Sequence, residues 1–292
     1  MILNDGRAGH LNQSIALAKY LNLPYDIVEV HFKNKLCKAL SYFFDKIGIS
    51  VSFLLNLKIS RHYKVVIATG SSTYYAAKFL AKKMQAKSIT MMLPKGYCLN
   101  FDMMFVQSHD MPSKQKNIIE IPANFAYVEP QGIYSAKKKS VGIVIGGDNK
   151  IFKMSVKELK KQLDFIKVHY KGYEFAITTS PRTSKEVEKL IESYHFDYEV
   201  VFSKNAINPI ADFLEQCETV IITGDSTSMI SEAISYGESN VLVLPLQSQK
   251  INKFERFVES LEKEEYLHIF DGTIKNRNRK IDFREYLEGL DI

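Results

Sequence analysis

The stretch of residues 220–245 constrains the fold more than any other part of the chain. Residues 220–222 and 241–244 are apolar runs without alternation, which is typical of parallel strands covered on both faces. Between them, small polar residues precede a segment with apolar residues at helical spacing, and a glycine follows it. The stretch therefore predicts one βαβ unit, and with it a parallel α/β sheet.

Strand-like and helix-like segments alternate on both sides of a stretch at 122–139 that is rich in Pro, Gly and Lys. We predict strands at 1–3, 25–30, 65–68, 87–92, 103–106, 141–145, 175–178, 199–202, 220–222 and 241–244. We predict helices at 13–21, 72–83, 155–168, 184–192 and 209–216, and a last helix at 282–287 that packs back on the first domain. The fold class is α/β, with Rossmann-like domains at 1–134 and 140–292 whose parallel sheets face a central cleft and close about the linker.

The composition indicates a soluble globular protein, since 46% of the 292 residues are hydrophobic and 25% are charged. Without a long apolar stretch or a signal peptide, the expected location is cytoplasmic. The three cysteines lack metal or disulfide spacing and are interpreted as buried free thiols.

The charge is uneven, because residues 1–135 hold 16 Lys and Arg against 8 Asp and Glu, whereas residues 136–292 hold 23 against 25. Basic residues bracket an apolar, aromatic segment at 42–55. Such a mix favours peripheral contact with an anionic membrane. The alternative is a core helix with a solvated lysine rim. Nucleic acid is not an expected partner, because no binding motif accompanies the basic residues.

Polar residues follow three strands of the first domain, at the edge where open α/β sheets bind ligands. His10 is a candidate base or hydrogen-bond donor, or simply a helix cap. Asp110 is a second candidate base. The other residues of these loops could hold a phosphate, a carboxylate or a polar group of a substrate: Asp5, Gly6, Arg7, Gly9, Gln13, Gly70, Ser71 and His109.

Three strand-end loops of the second domain predict a donor site. We expect Gly146 and Gly147 to expose backbone N–H groups to a phosphate, and Arg182 to contact a diphosphate. Glu232 is expected to reach a sugar or ribose hydroxyl pair; the alternative is that Asp225 only caps a helix and Glu232 is solvated. The complete set is Gly146, Gly147, Asp148, Asn149, Lys150, Thr179, Ser180, Arg182, Asp225, Ser226, Ser228, Met229 and Glu232.

Other enzyme classes lack their motifs in this chain. We find no GxSxG, P-loop, HExxH or DxD-like pair, so no metal is expected to be required.

Several segments resemble the mitochondrial-fission ELM-type family: DGRAGHLNQ at 5–13, SHD at 108–110, IGGDN at 145–149, TTSPRT at 178–183 and TGDSTSMISEA at 223–233. That family is similar to GT-B glycosyltransferases, including the peptidoglycan enzyme that transfers N-acetylglucosamine to a lipid-linked muramyl acceptor. The resemblance implies a nucleotide-sugar donor in the C-terminal domain and an acceptor in the N-terminal one, so that the loop residues given above for the first domain would face the acceptor or the diphosphate. Leu11 stands where the family commonly has an acidic residue, which leaves the base open between His10 and Asp110.

The sequence thus predicts a metal-independent glycosyltransferase that moves a sugar from a nucleotide-diphosphate sugar to a lipid-linked or glycan acceptor of the cell envelope. It would need no cofactor and would work in the cytoplasm at the inner face of the membrane. Two alternatives stay open: a nucleotide-sugar epimerase of the same fold, and a non-catalytic adaptor that binds a membrane or a protein.

Overall fold

A computed structural model of the chain describes residues 1–59, 61–248 and 252–292. The chain divides into two compact units. The first comprises Met1–Tyr127 together with Asp282–Ile292, and the second comprises Val128–Ile281.

The first unit contains a six-stranded sheet in the order β2-β1-β5-β6-β7-β8, and every neighbouring pair is parallel. A separate antiparallel pair is formed by β3 and β4. The elements are β1 (Ile2–Asn4), α1 (Ala8–Tyr20), β2 (Ile27–Glu29), β3 (His31–Phe32), α2 (Lys35–Lys46), β4 (Leu55–Asn56), β5 (Val65–Ala68), α3 (Tyr74–Met84), β6 (Lys87–Thr90), β7 (Met103–Gln107) and β8 (Ile118–Ile121).

The C-terminal segment packs within the first unit through aromatic contacts. The Phe283 ring stacks on Phe125 with centroids 4.5 Å apart, and it meets the edge of Tyr20 at 6.0 Å. Phe283 is fully buried. The helix predicted at 282–287 is a single 3-10 turn, Phe283–Tyr286, capped by Asp282.

The second unit contains another six-stranded parallel sheet, in the order β12-β11-β9-β13-β14-β16. An antiparallel pair joins β10 and β15. The elements are β9 (Ser140–Ile145), β10 (Phe152–Lys153), α4 (Val156–His169), β11 (Glu174–Thr179), α5 (Lys185–Glu192), β12 (Tyr198–Val200), α6 (Ile210–Gln216), β13 (Thr219–Thr223), α7 (Thr227–Ala233), β14 (Asn240–Leu244), β15 (Gln247–Ser248), α8 (Lys253–Lys263) and β16 (His268–Ile269).

The βαβ unit predicted at 220–245 is confirmed as β13, α7 and β14. All of β13 is buried, as is β14 after its first residue, because the sheet is covered on both faces. The predicted α/β class with two parallel sheets is therefore confirmed.

Several element bounds differ from the prediction. Helix α1 begins at Ala8 rather than at residue 13, so that Gly9 and His10 lie in its first turn. Among the described elements, β3, β4, β8, β10, β15, α8 and β16 were not predicted, and α2 was considered only as the alternative of a core helix. Helix α8 has a clear start signal, since Asn252 and Glu255 form a capping box.

Part of the stretch predicted as a linker is fixed to the second unit by a single carboxylate. Buried Asp212 on α6 accepts four backbone N–H groups, from Gln131, Gly132, Ile133 and Tyr134, at 2.7 to 3.2 Å. Four charge-assisted hydrogen bonds satisfy a carboxylate that would otherwise be costly to bury. Residues 131–134 are thus held in a defined conformation.

The cysteine prediction is correct in part. Cys217 is buried, and burial raises the pKa of its thiol to about 11. Cys37 and Cys98 are only partly buried. All three thiols are free.

In the ranges that the structure covers, no helix is both long and apolar enough to cross a bilayer.

Candidate functional site

The first unit holds an Asp–His pair at the carboxyl end of β1. The Asp5 carboxylate lies 3.0 Å from His10 Nδ1 through Oδ2 and 3.2 Å through Oδ1. The Asp5 side chain is only 3% exposed, and that of His10 is 19% exposed. A carboxylate at Nδ1 favours the tautomer with the proton there, which leaves Nε2 free to accept a proton. The interpretation of His10 as a helix cap is wrong, because the N-cap of α1 is Arg7.

Gly70, which follows the adjacent strand β5, makes room for the imidazole. Its φ of +91° is in the left-handed region, and a Cβ at this position would lie 2.4 Å from His10 Cε1 and Nδ1. A side chain at residue 70 would therefore displace the ring. The neighbouring strands β1 and β5 bring Asp5, His10 and Gly70 together, as the sequence predicted for their loops.

The remaining predicted residues of the first unit have other contacts. Gln13 is buried and donates to the Gly9 carbonyl at 3.1 Å, and the Ser71 hydroxyl accepts from Lys38 Nζ at 3.1 Å. Gly6 and Arg7 are exposed in the loop before α1. Gln13 and Ser71 shape the loops around His10, whereas Arg7 contacts the Asp–His pair itself: its N–H donates to Asp5 Oδ1 at 3.2 Å, and its Nε lies 4.0 Å from Asp5 Oδ2.

Asp110 is less suited to act as a base than His10. Its carboxylate is buried and forms an ion pair with Lys95 Nζ at 2.7 Å. Asp110 and His109 lie in a short 3-10 turn after β7, and β7 is separated from β1 by β5 and β6. A nearby lysine stabilises the ionised form of a carboxylate, and the carboxylate is then a weaker proton acceptor.

The second unit brings its three predicted loops together, because they follow the adjacent strands β11, β9 and β13. At their centre is Asp225, whose carboxylate is fully buried. It accepts from Arg182 Nη2 at 2.7 Å, from Thr223 Oγ1 at 2.7 Å and from the Gly147 N–H at 3.1 Å. Asp225 thus links one residue from each loop.

The prediction that Gly146 and Gly147 offer backbone N–H groups to a phosphate is wrong. The Gly146 N–H donates to Thr223 Oγ1 at 2.7 Å, and that of Gly147 is used by Asp225. The glycines permit close packing instead: a Cβ at Gly146 would lie 2.0 Å from Asp225 Oδ1, and one at Gly147 would lie 2.0 Å from the Arg182 carbonyl oxygen.

Arg182 keeps part of its hydrogen-bonding capacity for a ligand. Besides the Asp225 contact, Nη1 lies 3.4 Å from the Gly147 carbonyl oxygen. The side chain is still 40% exposed. A guanidinium has five N–H donors, so the exposed side retains donors that could meet an anion.

The loop after β9 carries one exposed positive charge and two structural side chains. Asn149 binds the Asp225 carbonyl at 3.2 Å and the N–H groups of its own turn. The Asp148 carboxylate accepts the Met154 N–H and forms an ion pair with Lys153. These two contacts hold the pKa of Asp148 below its usual range. Lys150 is exposed and forms no ion pair within the described ranges.

In the loop after β11, two predicted residues have structural roles. The Thr179 hydroxyl is buried and accepts the Phe202 N–H at 2.8 Å, and the Ser180 hydroxyl accepts the Arg182 N–H at 3.2 Å. These contacts shape the backbone that presents Arg182.

Helix α7 is capped by Ser226, which accepts the Met229 N–H at 3.4 Å; Asp225 is not the cap. Ser228, Met229 and Glu232 are half-buried on this helix. Glu232 keeps some accessible surface, yet the surrounding protein desolvates its carboxylate and raises the pKa to about 7. Within the described ranges the carboxylate has neither a hydrogen bond nor an ion pair. The view of Glu232 as a solvated charge is therefore wrong.

An apolar cavity beside Gly224 was not predicted. It has a volume of about 180 Å³, and its walls include Phe152, Val243, Phe254 and Val258. Phe254 and Val258 belong to α8. This helix was not predicted, although Asn252 and Glu255 of its capping box have the spacing of a helix start in the sequence.

Replacing Asp225 should destabilise the second unit. Asp225→Ala removes the acceptor of three donors, two of which, Thr223 Oγ1 and the Gly147 N–H, are buried. We expect a loss of about 2 kcal/mol of unfolding free energy, because Arg182 is exposed enough to be rehydrated. Urea denaturation measures this loss of unfolding free energy, and Asp148→Ala is the matched control. Equal stability of the two variants would contradict the central role of Asp225.

Polar loops at the carboxyl ends of two parallel sheets define an α/β protein with a candidate ligand site in each Rossmann-like unit. The chain belongs to the family described as Mitochondrial fission ELM1, whose family model matches residues 8–286. The predicted family is confirmed, and so is the predicted α/β class with a six-stranded parallel sheet in each unit.

The chain is also similar to individual proteins. It is 27% identical to an uncharacterised protein of Rickettsia prowazekii (strain Madrid E), with 94% of this chain and 90% of the relative covered. Among solved structures, MurG of Acinetobacter baumannii is 12% identical with a TM-score of 0.47, covering 94% of this chain and 86% of that one. The UDP complex of S. aureus MnaA is 13% identical with a TM-score of 0.44, covering 91% and 88%.

Proposed function

We propose that this protein is a glycosyltransferase that moves a sugar from a nucleotide-diphosphate sugar to a hydroxyl of a lipid-linked or glycan acceptor of the cell envelope. The observation that carries the proposal is the Asp5–His10 pair, with Asp5 Oδ2 3.0 Å from His10 Nδ1. Sugar transfer to a hydroxyl needs a general base, and an imidazole oriented by a buried carboxylate is suited to that task.

In the proposed reaction, His10 Nε2 takes the proton of the acceptor hydroxyl. The acceptor oxygen then forms a bond to the anomeric carbon of the donor sugar. The bond between that carbon and the diphosphate oxygen breaks, and the nucleoside diphosphate leaves with the electron pair. Asp5 stabilises the positive charge that His10 acquires. Asp5 is a positioning residue, whereas His10 is the catalytic one.

The donor is assigned to the loops of the second unit. The exposed donors of Arg182 and the ammonium of Lys150 supply positive charge to the leaving diphosphate without a metal. The Glu232 carboxylate accepts hydrogen bonds from a pair of sugar or ribose hydroxyls, which provide the partners that none of the described residues supplies. No cofactor takes part in this scheme.

Donor binding is tested by thermal-shift measurements with UDP, GDP, CMP and dTDP sugars. A ligand that binds only the folded protein raises the midpoint by mass action. We expect one nucleotide to raise it, and the increase to be absent in Arg182→Ala and in Glu232→Ala. Lys171→Ala, an exposed lysine on the same unit, is the control. If no nucleotide raises the midpoint, the non-catalytic adaptor becomes the better account.

A further inference from the structure

Helix α2 exposes a stripe of apolar side chains, although two of its polar residues are buried. Ser41 and Asp45 are its buried residues, whereas Leu36 and Phe43 are 68% and 57% exposed, and Ile47 at the C-cap is 52% exposed. At 100° per residue, Leu36, Phe43 and Ile47 fall on one stripe, and Ser41 and Asp45 fall on the opposite side. One apolar stripe of α2 therefore points to solvent, whereas other apolar side chains of the helix, Cys37, Leu40, Tyr42 and Phe44, pack against the core of the first unit.

The orientation of α2 is fixed by specific contacts on its inner face. Asp45 forms a buried ion pair with Lys78 Nζ at 2.6 Å and accepts the Cys98 N–H at 2.6 Å. The Ser41 hydroxyl lies 2.9 Å from the hydroxyl of buried Tyr97. Rotating α2 to bury its apolar stripe would break these bonds and leave a buried lysine unpaired, which is strongly unfavourable. The interpretation of this segment as a core helix with a solvated lysine rim is correct for the side chains that pack inward, such as Leu40 and Phe44, and does not account for the exposed apolar stripe.

The segment that follows α2 extends the same apolar surface. Ile49 is 41% exposed, and Phe53 is 55% exposed and contacts Phe44 at a centroid distance of 6.3 Å. We name the five exposed side chains the α2 surface: Leu36, Phe43, Ile47, Ile49 and Phe53. Contiguous exposed apolar residues on a folded unit indicate an interaction site.

The charge around the α2 surface is almost entirely positive. Residues 33–61 contain six basic residues and one acidic residue, Asp45, which is buried and neutralised by Lys78. Four of the lysines are exposed and form no ion pair with any residue that the structure describes: Lys33, Lys35, Lys46 and Lys58. The complement to such a surface is an apolar layer covered by negative charge.

We propose that the α2 surface inserts into the headgroup region of an anionic lipid bilayer, with the four lysines against the lipid phosphates. Aromatic and aliphatic side chains bury at the acyl boundary, and lysines near the surface gain from its negative potential. A protein partner fits less well, because lysine is depleted at protein interfaces. The proposal rests on the proposed function, since it supplies the membrane at which a lipid-linked acceptor would be met.

The test is sedimentation of the full chain with vesicles, without donor or acceptor. We expect binding to equimolar phosphatidylcholine and phosphatidylglycerol, and little binding to phosphatidylcholine alone. Phe43→Ser with Phe53→Ser should abolish binding, and each of Lys35→Glu and Lys46→Glu should weaken it at least about fivefold. These side chains are exposed, so the variants should fold; circular dichroism confirms it. Val168→Ser and Lys171→Glu, on the other unit, are controls with unchanged binding.

Three results would overturn the proposal: no binding to anionic vesicles, equal binding to both vesicle types, or unchanged binding in the Phe43 and Phe53 variant. Analytical ultracentrifugation tests whether the α2 surface instead binds a second copy of the chain. If the wild type is a dimer and the Phe43 and Phe53 variant is a monomer, the α2 surface is a dimer interface and the proposal is overturned. Failure here leaves the nucleotide thermal shift intact, whereas failure of the proposed function removes the thermal shift and leaves vesicle binding. The two failures are therefore distinguishable.

Discussion

His10→Gln should lower kcat by between about 10²- and 10⁴-fold, the range that a general base contributes. The replacement removes Nε2 as a proton acceptor while keeping a polar side chain beside Asp5. Nucleotide binding should be unchanged, because the donor residues belong to the second unit. Kinetics with saturating donor, together with the thermal shift, separate the two effects.

Two further variants define the role of His10. Asp5→Asn should also lower kcat, because an amide does not hold the proton on Nδ1 in the same way. Asp110→Asn should have a small effect, since Asp110 is already paired with Lys95. His31→Gln, at an exposed histidine of the same unit, is the control. A large loss in Asp110→Asn with normal activity in His10→Gln would assign the base to Asp110 instead.

Glu232→Gln should stabilise the ligand-free protein while removing nucleotide binding. Burial raises the pKa of Glu232 from 4.5 to about 7. Because the folded value is above the unfolded one, the associated stability is fully present below pH 4.5 and is lost as the pH rises to 7. The wild-type protein therefore loses up to about 3 kcal/mol of unfolding free energy over this pH range. Glutamine carries no ionisable proton, so the variant does not have this loss.

Urea denaturation across this pH range measures the effect on stability. Wild type should lose unfolding free energy between pH 4.5 and 7, and Glu232→Gln should lose less. Nucleotide affinity should rise with pH up to about 7, because the ionised carboxylate is the better acceptor for hydroxyls. Glu264→Gln, at an exposed carboxylate of the same unit, is the control. Equal pH dependence in wild type and Glu232→Gln would contradict a desolvated Glu232.

The sequence predicted both sheets because their strands are short apolar runs that helical segments separate. Strand β5 was predicted with its observed bounds, and Ser155 and Ser184 cap α4 and α5. The start of α1 was placed too late because Gly6 and Gly9 suggest a turn, and Arg7 gives no side-chain cap.

The contacts within the candidate sites depend on tertiary structure. Asp5 and His10 were both candidates, but their pairing requires Gly70 on another strand to leave space for the ring. Arg182 and Asp225 lie 43 residues apart, and no sequence pattern indicates that one binds the other. The exposure of the apolar stripe of α2 follows from the partners that hold Asp45 and Ser41 on the inner side, which the periodicity of α2 alone does not show.

The most direct test of sugar transfer is incubation with a nucleotide-diphosphate sugar labelled in the sugar and a detergent extract of envelope membranes. The account predicts label in the lipid or glycan fraction and equimolar release of nucleoside diphosphate, with both strongly reduced in His10→Gln. An altered nucleotide sugar formed without the extract would contradict transfer and indicate an epimerase. Absence of any product with the donor that binds would contradict catalysis and favour the adaptor.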